Sequence, residues 1–412
     1  MKKHFLVILL TVFLLSCLLC LGSCGEQSAE GKSVTLYVYN WGEYISDGSE
    51  GSLNVNLAFE EYCREELGLN VTVNYSTYSS NEDLYAKLSG GAVSYDVIIP
   101  SDYMVARLAA EGLLREINPT QTVENYKYID EAFRGLYYDP CEQYSVPYTY
   151  GTVGVIYNTD MIPADEEDLG KWDLLWNPDY TGNILQFNNP RDAFGTAQFH
   201  LGYSINSDDP DEWQEALELL IEQKSVVQGY VMDEVFNKMK GGSAAIAPYY
   251  AGDFFTMYAD NDRLAFYSPE EGSNVFVDAM CIPACSENYE LALEYINFML
   301  TEEIAIANAE YICYASPNVQ VFENEDYIAY MQEECHPDAI SILYDFDINK
   351  MEFYHDLPTE TRNLMNSLWE DLKIESTIGA SVYVICAAIV LFVLGFGIFS
   401  FVRKRIRASY YD

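Results

Sequence analysis

Val34, Leu36 and Val38 alternate with Thr35, Tyr37 and Tyr39, the period-2 pattern of a half-buried strand. Apolar positions then recur at helical spacing over 53–67, and alternation returns over 70–78 around Val71 and Val73. Ser80 followed three residues later by Asp83 reads as a capping box opening a helix at 84–88. The segment YDVIIP at 95–100 predicts a short buried strand, and 104–114 predicts another helix. Strand alternating with helix argues for an α/β fold with a largely parallel sheet.

A second α/β stretch starts near Tyr148 and runs to about Val277, with a strand pattern at 154–157, a helix at 213–222 and an apolar strand at 244–247. After Asp278 the pattern is strand again at 279–283, then helix at 289–300, and Leu364, Leu368 and Leu372 at spacing four mark a last helix. With 412 residues the chain suits two domains.

The two ends break this rhythm. A basic start at 1–4 and an apolar run at 5–21 lead into Leu21-Gly22-Ser23-Cys24, so 1–23 reads as a signal peptide. The same four residues resemble a bacterial lipobox, which would make Cys24 the acylated first residue of an exported lipoprotein. At the other end, 378–402 is a run of 25 residues without charge, long enough to span a bilayer. The RKRIR that follows places the tail 403–412 in the cytoplasm. These ends predict a C-terminal transmembrane helix and an ectodomain held at the cell membrane by lipid and helix, on the extracytoplasmic side.

Composition, 50% hydrophobic and 15% aromatic, is that of a folded protein, and the net charge is −42. Setting aside Lys2, Lys3, Arg403, Lys404, Arg405, Arg407 and Asp412 leaves 16 basic against 63 acidic residues, −47, between the two ends. Such a surface repels nucleic acid and attracts cations, although acidity that merely keeps an exported protein soluble fits the same number. Outside the ends remain Cys63, Cys141, Cys281, Cys285, Cys313 and Cys335. An even count permits disulfides, but no spacing fixes a pairing and none completes a zinc site. His200, His336 and His355 lie in no HExxH or nucleophile-elbow context. Neither metal, cofactor nor catalysis is expected.

In open α/β sheets ligands bind beyond the carboxyl ends of strands. Trp41, Glu43 and Tyr44 follow the first strand, and Ser101, Asp102 and Tyr103 follow another, so both clusters should reach one rim. Any single ring there could equally be packing.

Taken in order, LYVYNWGEYI, VNYSTYSSNEDLYAKL, YDVIIPSDYMV, YSVPYTYGTVGVIYN, NNPRDAFGTA, VFVDAMCIP, ALEYINFML and YASPN resemble the substrate-binding proteins of polyamine (spermidine/putrescine) ABC transporters over 33–373. The resemblance implies a two-lobed type II periplasmic-binding fold with hinge crossovers, lobe 1 over 33–147 and 279–322 and lobe 2 over 148–278 and 323–373. The hinge would lie at Pro147-Tyr148 and Asp278-Ala279. It further implies a polyamine ligand in the inter-lobe cleft, with an ABC permease and its cytoplasmic ATPase as partners. Carried over by position, Trp41, Glu43 and Tyr44 match an aromatic and acid cluster, and Ser101 and Tyr103 a second contact loop. Asp192 and Asp278 match carboxylates facing the ligand's amines, and Tyr314 an aromatic wall. Tyr249 and Phe276 replace tryptophans and Tyr354 a glutamine, while Asn189 stands where the family can carry an aspartate. That leaves Glu43, Asp192 and Asp278 as the expected charges and weakens any preference for spermidine over putrescine. Two other readings stay open: a ferric-iron-binding protein of the same fold, because Tyr249-Tyr250 is similar to that family's paired tyrosines, and a membrane-anchored polyamine sensor.

Overall fold

A computed structural model describes residues 33–91 and 93–375. The leader 1–23, Cys24, the apolar run 378–402 and the tail 403–412 lie outside the described residues.

Strands β1 (Val34–Trp41), β2 (Val71–Tyr78) and β3 (Val97–Ile98) are parallel, with Val38 of β1 opposite Tyr75 on one side and Val97 on the other. The alternation seen in sequence is what buries Leu36 and Val38 with Phe59, Ile99, Ile296 and Phe298 in the core of the first lobe. Helices Val55–Glu65 and Tyr289–Met299 supply Phe59, Ile296 and Phe298, and Ile99 follows β3.

The second lobe is built on β4 (Ser145–Asn158), β5 (Ile184–Phe187), β6 (Val227–Val231), β7 (Ile246–Tyr250) and β8 (Leu264–Tyr267). Strand β9 (Ser273–Cys281) joins it to the first lobe, and β10 (Met351–Glu352) pairs with the start of β9. The sheet order is β2-β1-β3-β9-β4-β7-β5-β6, with β8 alongside β4.

The long strands β4 and β9 run antiparallel through both lobes. Sequence periodicity shows only fragments of β4, because 13 of its 14 residues are buried, on both faces, and leave no alternation to read. Their register slips between Pro147 and Thr149, where proline has no N–H to give the ladder. Tyr148 occupies the slip.

One expectation is corrected. Among the described residues no helix is long and apolar enough to cross a membrane, so the two-lobed α/β fold is supported and the C-terminal transmembrane helix expected at 378–402, outside those residues, is not. The last described helix, Thr359–Glu375, has 17 residues, short of the roughly 20 apolar residues a span needs. It buries Met365, Leu368, Trp369 and Leu372 against the second lobe and leaves Glu360, Glu370, Asp371 and Lys373 exposed.

Candidate functional site

Four strand ends and the middle of β9 meet at one cleft between the lobes. Beyond β1 the chain turns at Glu43, which adopts a left-handed φ of 52°. The turn places Trp41 against Tyr78 (ring centroids 4.6 Å apart) and sends Tyr44 inward. Beyond β3, Ser101 starts the helix Asp102–Ala110 and presents Tyr103. Beyond β5, Asn189 caps the helix Pro190–Leu201 that carries Asp192, and β7 ends in Tyr249 and Tyr250.

All twelve residues singled out in sequence line the resulting cavity of ≈ 110 Å³, several times the roughly 10–15 Å³ that one water needs. Trp41, Glu43, Tyr44, Ser101 and Tyr103 come from the first lobe side, Asn189, Asp192, Tyr249 and Tyr354 from the second, with Phe276, Asp278 and Tyr314 between.

Asp278 is 3% exposed. Its Oδ2 accepts from the Tyr44 hydroxyl at 2.6 Å, and that hydroxyl lies 2.6 Å from Thr149 Oγ1. Oδ1 has no hydrogen-bond partner, although the Ser101 hydroxyl is close enough to favour the charged form of the carboxylate. Burial pushes the Asp278 pKa up to about 6, and the Ser101 and Tyr44 hydroxyls only partly oppose it. Burial also holds Tyr44 well above the usual tyrosine range, so it remains a donor. Trp41 Nε1 is likewise buried and unpartnered.

Asp192 is satisfied differently. Its Oδ2 accepts from Asn189 Nδ2 at 2.7 Å and from the Tyr250 hydroxyl at 2.6 Å, and the Tyr354 hydroxyl lies 3.2 Å from Oδ1. Asn189 Oδ1 in turn accepts from the Asp192 amide at 2.8 Å. The asparagine therefore caps the helix and donates to the acid at once, where an aspartate could cap but would repel Asp192. Burial still raises the Asp192 pKa.

Sequence reasoning missed several lining residues. Tyr250 was considered only with an iron site, yet it bonds Asp192 and packs on Phe276 at 5.4 Å. Tyr249 lies deeper, between Phe187 (5.6 Å) and Phe236 (6.0 Å). Glu82, Asp233 and Asp253 bring three more carboxylates to the cavity. Asp253 opens onto the cavity while protein encloses it, and burial pushes its pKa up to about 7 against the nearby Tyr314 hydroxyl. Glu82 and Asp253 sit in the first turn of a helix and Asp233 at a helix N-cap, where an acid also looks like ordinary capping; only the tertiary fold aims it at the cleft. Arg191 is the sole basic side chain among the lining residues. Its two terminal nitrogens donate to the Ile205 and His355 carbonyls and to Asn206, its Nε is buried without a partner, and the guanidinium lies 4.4 Å from the Tyr354 ring.

The aromatic wall depends on missing side chains. A Cβ at Gly252 would sit 2.3 Å from the Tyr314 ring, and one at Gly151 would sit 2.9 Å from Phe276. Tyr314 thereby stands edge-on to Tyr44 at 5.0 Å.

A family model described as bacterial extracellular solute-binding protein matches residues 58–332. The spermidine/putrescine-binding periplasmic protein of Salmonella typhimurium is 34% identical over 288 residues, 69% of this chain and 78% of the relative. The putrescine-binding periplasmic protein SpuD of Pseudomonas aeruginosa is 26% identical over 374 residues, 85% of this chain and 95% of the relative. Among solved structures, the spermidine/putrescine ABC transporter substrate-binding protein of Streptococcus pneumoniae superposes with a TM-score of 0.65 at 31% identity, covering 82% of this chain and 98% of that one.

Proposed function

This chain belongs to the bacterial extracellular solute-binding proteins, and from that premise we propose that it captures a polyamine, putrescine or spermidine, outside the cytoplasm and delivers it to an ABC permease. The observation that carries this reading is Asp278 Oδ1, a buried carboxylate oxygen with no partner in a cavity lined by six acids and one committed arginine. Six carboxylates against one guanidinium leave such a cavity short of positive charge. An ammonium at Oδ1 supplies a charge-assisted hydrogen bond, roughly twice as strong as a neutral one. Faces of Tyr44, Tyr250, Phe276 and Tyr314 then flank the methylenes, and each ammonium held over a ring gains about 0.5–2 kcal/mol.

The three expected charges, Glu43, Asp192 and Asp278, are joined by Glu82, Asp233 and Asp253, so the neutral Asn189 does not by itself limit the ligand to two amines. Glu43 is exposed at the mouth, suited to drawing a cation in; Asp192 and Asp278 are suited to holding it. The protein is read as a binding component, not an enzyme, and Cys24 as its lipid anchor, which a mass measurement of the mature N-terminus tests.

Calorimetric titration with putrescine, spermidine, spermine and lysine tests the ligand class. Micromolar or tighter binding of at least one polyamine, with lysine much weaker, is expected. No heat from any polyamine sinks the reading.

A further inference from the structure

Cys313 and Cys335 are the one pair of cysteines in sulfur contact among the described residues, with Sγ atoms 3.9 Å apart. Neither belongs to the cleft wall, yet Cys313 immediately precedes Tyr314. It closes the helix Glu302–Ile312 in a left-handed conformation, φ 57°, a position that glycine or asparagine occupies at less cost. The Cys313 side chain points to Cys335, at the end of the turn Met331–Cys335. That turn packs on the helix Ala251–Asp260, and the following His336 ring stands 4.6 Å from Tyr258 of that helix. The same helix supplies Gly252, on which Tyr314 rests.

We propose that Cys313 and Cys335 are a disulfide pair that fastens the Tyr314 segment to the second lobe. The sulfurs, 3.9 Å apart, must close to the roughly 2.05 Å of a disulfide. Cys335 is partly exposed and Cys313 buried, which sets the order of events. The contact with the Cys313 thiol lowers the Cys335 pKa from its usual value, against burial and the charges of Glu310 and Glu334, and a thiolate is the attacking form. The Cys335 thiolate attacks the disulfide of a small-molecule disulfide or a disulfide-carrying oxidoreductase, breaking its S–S bond and releasing one thiolate. Cys313 yields its proton to that thiolate and attacks Cys335 Sγ, expelling the second. Two protein thiols are oxidised by two electrons and the external disulfide is reduced to two thiols.

The pairing relies on the extracytoplasmic setting proposed above for its oxidant only. Its test uses no polyamine, so it stands or falls apart from ligand binding. Full-length protein is treated with oxidised glutathione, alkylated without reduction, digested and mapped by mass. Peptides carrying Cys313 and Cys335 should be joined, and separate on adding dithiothreitol, while the exposed Cys141 and Cys285 are recovered alkylated or glutathionylated. The oxidised protein should also unfold at a higher temperature than the reduced one, and Cys335→Ser should abolish that difference. Recovery of both thiols alkylated, a lasting mixed disulfide on Cys335 beside a free Cys313, or an equal thermal shift in Cys335→Ser overturns the proposal.

Discussion

Replacing Asp278 by asparagine should move stability and affinity in opposite directions. The rise of its pKa from 3.8 to about 6 corresponds to about 3 kcal/mol held against the ionised form, at 1.36 kcal/mol per pKa unit. A carboxyl raised in the folded state contributes stability that is full below pH 3.8 and lost as pH rises through about 6. At pH 8 the ligand-free protein therefore carries a buried charge that it would be more stable without. Asp278→Asn removes the charge, though its amide must find an acceptor beside Tyr44. Unfolding of the ligand-free variant at pH 8 should be shifted up, by about 2 °C or more per kcal/mol recovered. At pH 5 the difference from wild type should shrink, because Asp278 is then largely neutral. Binding should suffer the reverse. The ligand's ammonium would be desolvated without its counter-charge, a loss of about 2 kcal/mol or more, or about 30-fold in Kd. Thermal unfolding at the two pH values and calorimetric titration at pH 8 read both effects. A variant that is less stable at pH 8 and binds polyamine as tightly as wild type would refute the reasoning.

Glu43→Gln should cost less than Asp278→Asn, about 1 kcal/mol or below, because Glu43 is exposed and screened; an equal loss by titration would place it deeper than its position indicates. Gly252→Ala puts a Cβ 2.3 Å from the Tyr314 ring and should weaken binding about tenfold or more at an overpacking cost of about 1–3 kcal/mol, with unchanged Kd counting against Tyr314 as a ligand wall. Affinity should rise from pH 5 to pH 8 as Asp278 (about 6) and Asp253 (about 7) ionise. Near pH 6.5 ligand binding should then release protons, seen as a titration enthalpy that depends on the buffer's ionisation heat; a buffer-independent enthalpy would contradict it.

Legibility in the sequence followed exposure of pattern. The first halves of β1 and β2 leave Tyr37 and Thr72 exposed between more buried neighbours, so alternation revealed them, and the Ser80 cap forms with its hydroxyl accepting from the Asp83 amide. The Asp83 carboxylate bonds Ser79 instead of closing the box. β4 escaped because both its faces are buried, and the reach of the 95–100 strand shrank to Val97–Ile98 because Ile99 and Pro100 lead into the cleft rim. In the site, positions borne by ordered motifs were found. Glu82, Asp233 and Asp253 were not, since nothing in a helix's first turn distinguishes an acid that caps from one that faces a cavity across the fold. The role of Asn189 was invisible for another reason: its value lies in a donor hydrogen toward Asp192, which composition counts only as a missing charge.

Strand β9 holds Phe276 and Asp278 in the cleft and at the same time links the two lobes beside the slip at Tyr148. On the proposed reading, the strand that meets the ligand is thus also the strand about which the lobes would part. Evolution or design working on this protein cannot retune selectivity at those positions without also resetting how often the lobes part, so variants with new ligand preference should arrive with altered uptake speed.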